Sequence, residues 1–542
     1  MSNYINLKEN LVLTLLFVSL FLISTFLYKD FGISIDEEST RHHGLVSLNY
    51  IKILINKYFN LNFEINQNIQ DLENYEYKTY GVFFELLVLG LEKIFSINEF
   101  KNIFYFKHLI IHSFFILATV FLVKIIYKNF NNAFFAFWGG ICFYTTPRLF
   151  AHSYFNNKDI IFLSFFTISL YFVINYFKNK NNTNIILCCL FLALLTSTRV
   201  IGIYFFLVFL FFLIFELLDN KKNAINFFSF FKIFFFYFLF LYLTWPYLWS
   251  NPINNFILSI VDMANYPWGG LVYYLGEYHS SFYLPWHYLI VWIISSNPLL
   301  IVILFTISFF FFLIRLFNRI KEIDKIKDHS TLWKSHIEFF SYFNLILIIF
   351  PLAMIILNNS TVYTGWRHVF FIFPSIILLT VNFMYLIHKK LVKRKKDHYL
   401  KVFLLFIIGI NLFSLTRFHP YQNNFFNLLF EKKANQLFEI DYWGLSNKEA
   451  LTIVAKYGYK SKVCNLGLAD LYQSRKMILK KYQSNINIEG QKFNECDIIL
   501  SNEIYISDPK YTKKYQLPQN FKLVHIIERG NVIINRIYKK NN

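Results

Sequence analysis

The sequence predicts a mainly α-helical, polytopic membrane protein with a small α/β or α+β domain at its C-terminal end. Of the 542 residues, 56% are hydrophobic and only 16% are charged, whereas an ordinary soluble protein has about 25% charged residues. The apolar residues form long blocks, such as 11–28, 201–218 and 299–313, that approach or match the ~20 residues that cross a bilayer. A soluble chain of this length would need several polar-surfaced domains, which so few charges cannot cover.

About eleven membrane spans can be drawn through the apolar blocks. They are residues 11–28, 104–126, 133–147, 159–177, 184–198, 200–218, 226–246, 286–314, 337–357, 368–387 and 399–416. The first segment lacks a small-residue cleavage site, so we expect it to be a retained span rather than a signal peptide.

The net charge of +20 is explained mainly by topology. With the N-terminus in the cytoplasm, basic residues concentrate on the inner loops, as the positive-inside rule requires. The densest clusters are 315–334 and 389–396, and the other inner basic residues are Lys8, Lys124, Lys128, Lys178, Lys180, Lys221 and Lys222. An odd number of spans then puts the C-terminus outside the cytoplasm. The positive charge is therefore not evidence for a nucleic-acid partner.

The predicted transmembrane core, residues 1–416, carries two large outer loops. The first, 29–103, has apolar residues at helical spacing over 44–59 and 82–95, which predicts helices lying along the membrane surface. The second, 247–285, is rich in Trp, Tyr, Pro and Gly, a composition that suits the headgroup level.

The predicted tail, residues 417–542, has the composition of a small extracytoplasmic domain. A capping box from Ser446 to Glu449 predicts the start of a helix. The predicted strands are 462–468 and 497–501, and a hairpin is predicted from 521–528 and 531–538. In an oxidising compartment Cys464 and Cys496 could form a disulfide; the alternative is two free, buried thiols.

Three consecutive carboxylates, Asp36, Glu37 and Glu38, follow the first span. Mutual repulsion and partial desolvation at the membrane surface raise the pKa of such groups, which suits a general base. The alternative is a solvated acidic turn or the N-terminal cap of the following helix.

A second polar group lies between the third and fourth spans, where a minimal connection would need few residues. It consists of Arg148, His152, Asn156, Lys158 and Asp159. Amide, cationic and carboxylate groups together can hold a phosphate and its sugar. The alternative is an ordinary hydrophilic loop.

Isolated cations stand at the outer ends of other spans. Arg199 lies in an otherwise apolar hairpin, Arg367 and His368 precede the tenth span, and Lys78 lies in the first outer loop. An arginine in an apolar hairpin is costly unless it snorkels or pairs, and it can grip a lipid phosphate bidentately. The alternative is a headgroup anchor.

All these candidates fall on the outer side of the predicted membrane. Carboxylates and cations on one face suit a lipid-linked phosphate substrate with a base that activates an acceptor. A transporter or flippase of a lipid-linked substrate is the main alternative, although transporters place ionisable groups near the midplane. A membrane-anchored assembly or receptor protein, whose tail does the work, is a second alternative. No Walker loop or dinucleotide fingerprint occurs.

Three features of the chain form an ordered set: Asp36-Glu37 after the first span, a long first outer loop, and Asn156-x-x-Asp159 before the fourth span. In this set the chain resembles the GT-C glycosyltransferases. It is most similar to the bacterial protein O-mannosyltransferase group (glycosyltransferase family 39) and to the aminoarabinose-transferase-like branch. The segments 284–288, 363–368 and 441–444 look typical of a prokaryotic subgroup.

The resemblance implies an inverting transfer from a polyprenyl-phosphate sugar to an acceptor hydroxyl on protein, glycan or lipid, on the outer face of the bacterial cytoplasmic membrane. Asp36 would be the base and Asp159 the second acidic residue of the site. The expected substrate-binding residues are Glu37, Lys78, Arg148, His152, Asn156, Lys158, Arg199, Arg367 and His368. Of these, Lys78, Arg199 and Arg367 would hold the lipid phosphate, and Glu37 could instead be structural. Lys78 departs from the aminoarabinose branch, where prolines follow the lysine.

The resemblance implies no cofactor and no resident metal. Other GT-C branches use a divalent metal, and His42 and His43 beside Asp36 leave that alternative open.

Overall fold

The structure is a computed structural model that describes residues 2–218, 227–323, 333–467, 471–502 and 517–541. Lys221, Lys222, the middle of the basic cluster 315–334 and the end of the predicted strand 462–468 lie outside the described residues.

Sixteen helices precede the tail in the described chain. They are α1 (Ser2–Leu27), α2 (Ile35–Phe59), α3 (Phe83–Ile94), α4 (Phe100–Phe130), α5 (Ala133–Tyr144), α6 (Pro147–Phe155), α7 (Asn157–Lys178), α8 (Asn182–Thr198), α9 (Ile203–Leu218), α10 (Phe227–Thr244), α11 (Pro252–Ala264), α12 (Tyr288–Ser295), α13 (Leu299–Ile323), α14 (His336–Leu357), α15 (Phe373–Lys393) and α16 (Asp397–Phe418).

The described chain has six helices that are long and apolar enough to cross a membrane: α4, α7, α13, α14, α15 with the turn before it, and α16. Five shorter apolar helices, within α1, α5, α8, α9 and α10, bring the set to eleven, and each of the eleven overlaps one predicted span. The protein is a multi-pass membrane protein. Its Phe- and Leu-rich stretches form helices because a helix satisfies every backbone polar group internally, which the bilayer interior requires.

The long helices differ in how far the rest of the protein encloses them. In α7 and α15, 83% and 78% of the residues in the apolar window are buried, against 22% in α16. Helix α7, which carries Asp159, and helix α15, which follows Arg367, are therefore at the centre of the bundle. Most of α16 is exposed on the outside of the protein.

One predicted span, 286–314, is wrong in its bounds and in being a single helix. The chain forms the short helix α12, breaks, and resumes as α13, which begins at Leu299 and runs to Ile323. Pro298 has no N–H to donate and restricts the residue before it, so a continuous helix is disfavoured here. The side chain of Asn427 donates to the freed carbonyls of Ile294 (2.6 Å) and Asn297 (3.1 Å).

The outer loops are more regular than the sequence predicts. Helix α2 begins at Ile35 rather than at residue 44, and the carboxylate of Glu37 accepts the backbone N–H of Ser34 at its start. Helix α3 lies where a helix is predicted. The second loop contains α11 and a hairpin of β1 (Leu271–Tyr274) and β2 (Glu277–Ser280), neither of which is predicted.

The tail contains a five-stranded mixed sheet. Its strands are β3 (Ser461–Asn465), β4 (Ile486–Gly490), β5 (Ile498–Ser501), β6 (Phe521–Arg529) and β7 (Val532–Lys540), in the order β4-β3-β5-β7-β6. Strand β3 pairs parallel with β4 and β5, and β7 pairs antiparallel with β5 and β6. The predicted strands and hairpin are confirmed, and β4 is an addition.

In the described part of the tail, four helices accompany this sheet: α17 (Ala434–Leu437), α18 (Asn447–Ala455), α19 (Leu471–Met477) and α20 (Lys480–Gln483). Helix α18 starts where it is predicted, but the predicted capping box is wrong. The hydroxyl of Ser446 donates to the carboxylate of Asp441 instead of capping the helix. Glu449 accepts hydrogen bonds from Tyr421 and Arg529.

Cys464 and Cys496 form a disulfide, with their Cα atoms 6.0 Å apart, a separation that disulfides commonly have. Cys464 lies on β3 opposite Ile499 of β5, so the bond joins neighbouring parts of one sheet. The alternative of two free, buried thiols is not what the fold forms.

We expect the double variant Cys464→Ala/Cys496→Ala to unfold more easily than the wild type. The disulfide closes a loop with a sequence separation of 32, for which loop-closure entropy contributes about 3–4 kcal/mol. Thermal unfolding of the purified protein, with and without reductant, measures this. Reductant should lower the wild-type melting temperature to that of the variant and leave the variant unchanged. A reductant-insensitive wild type, with two free thiols in a non-reducing peptide digest, would contradict the assignment.

Candidate functional site

Four charged residues from separate parts of the sequence meet at one end of the bundle. Asp36 lies in the first turn of α2 and Asp159 in the first turn of α7. Arg199 lies between α8 and α9, and Arg367 begins a short 3₁₀ turn before α15. The structure thus brings together the two predicted acidic residues and two of the predicted phosphate ligands.

Ion pairs join these four residues into a charge cluster. The Nη2 of Arg199 lies 2.7 Å from Oδ1 of Asp159, and Nη1 of Arg367 lies 3.5 Å from its Oδ2. The same Nη1 is 3.7 Å from Oδ2 of Asp36. The side chain of Asp159 is 1% exposed and that of Asp36 is 46% exposed. Asp159 is therefore held inside the cluster, and Asp36 faces outward from it.

Local sequence explains the position of Asp159. Asn156 caps α7: its Oδ1 accepts the backbone N–H of Asp159 (3.0 Å), and its Nδ2 donates to Oδ2 of Asp159 (2.7 Å). The positive end of the helix dipole favours a carboxylate in this first turn. The Nδ1 of His152 lies 3.1 Å from Nδ2 of Asn156. The Asn156-x-x-Asp159 motif is thus a cap that fixes the buried carboxylate.

The Arg367 guanidinium is fixed by aromatic rings and by the turn that precedes it. It lies 4.9 Å from the ring centre of Tyr363 and 5.2 Å from that of Trp443. Thr364 and Gly365 both have positive φ, 55° and 78°; this backbone region suits glycine and strains threonine. The Nε of Arg367 donates to the hydroxyl of Thr364, so this turn orients the guanidinium.

Two other predicted cations lie on different sides of the cluster. The Nζ of Lys158 is 4.0 Å from the ring centre of Tyr80. Arg148 is buried, donates to the carbonyl of Phe425 (3.3 Å) and lies 5.1 Å from the ring centre of Trp292. Burial lowers the pKa of Arg148 to about 10. Arg148 therefore supports the interior behind the site rather than its opening.

Glu37 and Lys78 are not part of the charge cluster. Glu37 is buried; its Oε2 accepts the backbone N–H of Ser34 (2.7 Å), and its Oε1 lies 2.9 Å from Nε2 of His108 on α4. It ties the start of α2 to the bundle. Lys78 donates to the carbonyl of Glu73 within its own loop. The substrate contact of Lys78 stays a prediction, and the contacts of Glu37 fit the structural alternative.

The histidines beside Asp36 pack against an aromatic ring. The ring centres of His42 and His43 lie 5.9 and 5.2 Å from that of Tyr75, and burial lowers the pKa of His43 to about 3. Within the described residues, no three His, Cys, Asp or Glu side chains form a group that could hold a metal ion.

A mainly apolar cavity of about 290 Å³ adjoins the cluster. Its lining includes residues between Arg199 and Leu207, from the end of α8 into α9. It also includes residues between Phe350 and Asn358 at the end of α14, and His368. Leu207 and Met354 are exposed on the outside of their helices, so the cavity reaches the lipid-facing surface. The lining of this mainly apolar space thus includes an arginine of the charge cluster.

The tail contributes side chains to the site that the sequence analysis does not assign. Trp443 lies against Arg367, and its ring centre is 5.1 Å from that of His152. Nearby, burial raises the pKa of Glu439 to about 8 and that of Asp441 to about 7. The segment 441–444 is noted in the sequence as a motif, but nothing in its spacing indicates that it reaches Arg367.

Residues of the tail sheet hold this segment in place. Asn502 donates to the carbonyl of Asp441 (3.0 Å), and Asn535 donates to the hydroxyl of Ser446 (2.8 Å). Because the segment held by these hydrogen bonds carries Trp443, and Trp443 packs against Arg367, a chain of contacts joins the tail sheet to the charge cluster.

No protein-family model and no curated protein sequence matches the chain. Among solved structures it is similar to two crystal structures of ArnT from Cupriavidus metallidurans, one bound to undecaprenyl phosphate and one in the apo state. The TM-scores are 0.44 and 0.45, with 10% identity and 97% of both chains covered in each case. ArnT is an aminoarabinose transferase with a GT-C fold. At this TM-score and identity, the function of this chain has to be argued from its own residues.

We expect Glu37→Gln to destabilise the protein by about 1–3 kcal/mol, because it weakens two hydrogen bonds of a buried carboxylate. Glu38→Gln is the matched control: Glu38 is exposed, so its substitution should change stability by less than about 0.5 kcal/mol. Thermal unfolding of both variants in one detergent measures the difference. Equal melting temperatures for the two variants would contradict the structural role of Glu37.

Proposed function

We propose that the protein is a membrane glycosyltransferase that moves a sugar, with inversion, from a polyprenyl-phosphate donor to an acceptor hydroxyl. One observation carries the proposal. The lining of an apolar cavity that reaches the lipid-facing surface includes Arg199. Arg199 is ion-paired with Asp159, which also faces Arg367, and Arg367 lies 3.7 Å from the outward-facing carboxylate of Asp36.

The cavity and the cations suit the two parts of such a donor. Isoprene units are apolar and fit between α9 and α14, while the phosphate would lie at the end marked by Arg199, within reach of Arg367. Planar guanidinium groups match phosphate oxygens bidentately. Lys158 adds a third positive charge near Asp36.

The proposed reaction is a single displacement. Asp36 takes the proton of the acceptor hydroxyl, and the acceptor oxygen attacks the anomeric carbon from the face opposite the phosphate. The bond between that carbon and the phosphate oxygen breaks, and its electron pair stays on the departing lipid phosphate. Arg199 and Arg367 stabilise this charge as it grows, so they favour the transition state over the ground state.

Asp159 has a different role from Asp36 in this scheme. It is enclosed, and its two carboxylate oxygens face Arg199 and Arg367. We assign it to orienting the two guanidinium groups rather than to contacting the acceptor. No cofactor or metal takes part in the proposed steps.

We place the site on the outer face of the bacterial cytoplasmic membrane, with the N-terminus in the cytoplasm. The Cys464–Cys496 disulfide supports this orientation for the tail, since disulfides persist in oxidising compartments. In the proposed division, residues 1–416 form the transferase core and residues 417–542 form the extracytoplasmic domain. Trp443 of that domain packs against Arg367.

A transporter or flippase would share the lipid-facing cavity. It would be expected to place its ionisable groups near the bilayer midplane, whereas this cluster lies at the ends of α2, α7 and α8. A carboxylate and two arginines at helix ends suit group transfer better.

We expect Asp36→Asn to lower sugar transfer by about 10²–10⁴-fold, the contribution of a general base, without changing insertion or thermal stability. Transfer of a radiolabelled sugar from a polyprenyl-phosphate donor by the purified protein measures this. Glu38→Gln is the control, since it removes an exposed charge two positions away and should transfer at the wild-type rate. Full activity in a correctly folded Asp36→Asn protein would refute the assignment.

A further inference from the structure

A row of partly exposed aromatic rings, the aromatic wall, borders the charge cluster. It consists of Tyr77, Tyr80, Tyr266, Trp268 and Tyr363. Successive ring centres are 6.5 Å apart for Tyr77–Tyr80, 6.2 Å for Tyr80–Tyr266, 6.5 Å for Tyr266–Tyr363 and 4.1 Å for Tyr363–Trp268. The rings come from three separate segments of the chain, so the fold assembles the wall.

The aromatic wall is in direct contact with the charge cluster. Tyr363 lies against Arg367, which is itself 3.7 Å from Asp36, and Tyr80 lies against Lys158. Burial raises the pKa of Tyr266 to about 12, so its hydroxyl stays protonated and can donate a hydrogen bond. A ligand lying along the wall would therefore lie beside the charge cluster that contains the proposed base.

The loops that supply the wall are acidic in a chain whose net charge is +20. Residues 61–80 contain four carboxylates (Glu64, Asp71, Glu73 and Glu76) and one lysine, Lys78. Residues 247–285 contain Asp262 and Glu277 and no Lys or Arg. The positive-inside rule accounts for few cations on an outer loop but not for an excess of carboxylates. Loops with this excess of carboxylates disfavour an anionic ligand and favour a neutral or amino-bearing one.

We propose that the aromatic wall is an acceptor subsite for a neutral or amino-bearing sugar ring, so that the acceptor hydroxyl belongs to a glycan. This inference rests on the proposed transferase function. The C–H faces of a sugar ring carry slight positive charge and pack on the negative faces of aromatic rings, while phenol hydroxyls bond its hydroxyls. Tyr80, Tyr266 and Tyr363 also line the cavity assigned to the donor, so the wall starts at the edge of that cavity. Tyr77 and Trp268 are not part of the cavity lining and would carry the acceptor ring.

Direct binding tests the subsite without turnover. Full-length Asp36→Asn protein in nanodiscs is titrated with maltotriose, mannotriose and chitotriose, and binding is followed by saturation-transfer NMR. We expect at least one saccharide to bind, and a second substitution, Trp268→Ala, to weaken it about tenfold. Tyr283→Ala is the matched control, because Tyr283 is 81% exposed on the same loop and outside the wall. No binding by any of the three, or equal effects of both substitutions, would overturn the inference.

Kinetics separate an acceptor sugar from the sugar of the donor. In otherwise wild-type protein, Trp268→Ala should raise KM for the saccharide acceptor and leave KM for the donor unchanged. A raised donor KM alone, or better transfer to a Ser/Thr peptide or a phosphorylated glucosamine disaccharide, would overturn the inference. Either result leaves the transferase proposal standing if transfer still requires Asp36; transfer that survives Asp36→Asn refutes the transferase proposal itself.

Discussion

The rest of the site depends on one buried carboxylate, Asp159, held between Arg199 and Arg367. A charge removed from water at the edge of a membrane is stable only when it is paired and hydrogen-bonded. Satisfying Asp159 therefore requires the start of α7, the end of α8 and the turn before α15 to meet. Those are the ends of the most enclosed part of the bundle, so the packing of apolar helices and the position of the charges support each other.

From this pairing follows a division of labour among the charged groups. Both arginines are ion-paired with Asp159, and Arg367 also lies against the ring of Trp443. In the proposed function the same guanidinium groups bind the donor phosphate. Asp36 is the carboxylate of the cluster that solvent reaches. The tail matters to this arrangement because Asn502 and Asn535 hold the segment that carries Trp443. A fixed electrostatic site of this kind needs little reorganisation as charge develops on a leaving group.

The sequence predicted much of this because the protein has few charges. Against an apolar background, the spans are visible from hydropathy alone, and Asp36, Asp159 and the two arginines stand out as costly residues. What it could not predict depends on partners far along the chain. The role of Glu37 needs His108, and that of Trp443 needs Arg367. The break before α13 is stabilised by Asn427, more than a hundred residues away. The residues of the aromatic wall could not be recognised in the sequence, because 21% of all residues are aromatic and these five do not stand out.

The central claim is that Arg199 marks the phosphate end of a lipid-binding cavity, and binding of decaprenyl phosphate measured by native mass spectrometry tests it most directly. The account predicts that Arg199→Ala weakens binding at least tenfold, since a charge-assisted bidentate contact is lost. Lys401→Ala, which removes an exposed cation on α16 that is ion-paired with Asp397, should bind like the wild type. Equal binding by all three folded proteins would contradict the account.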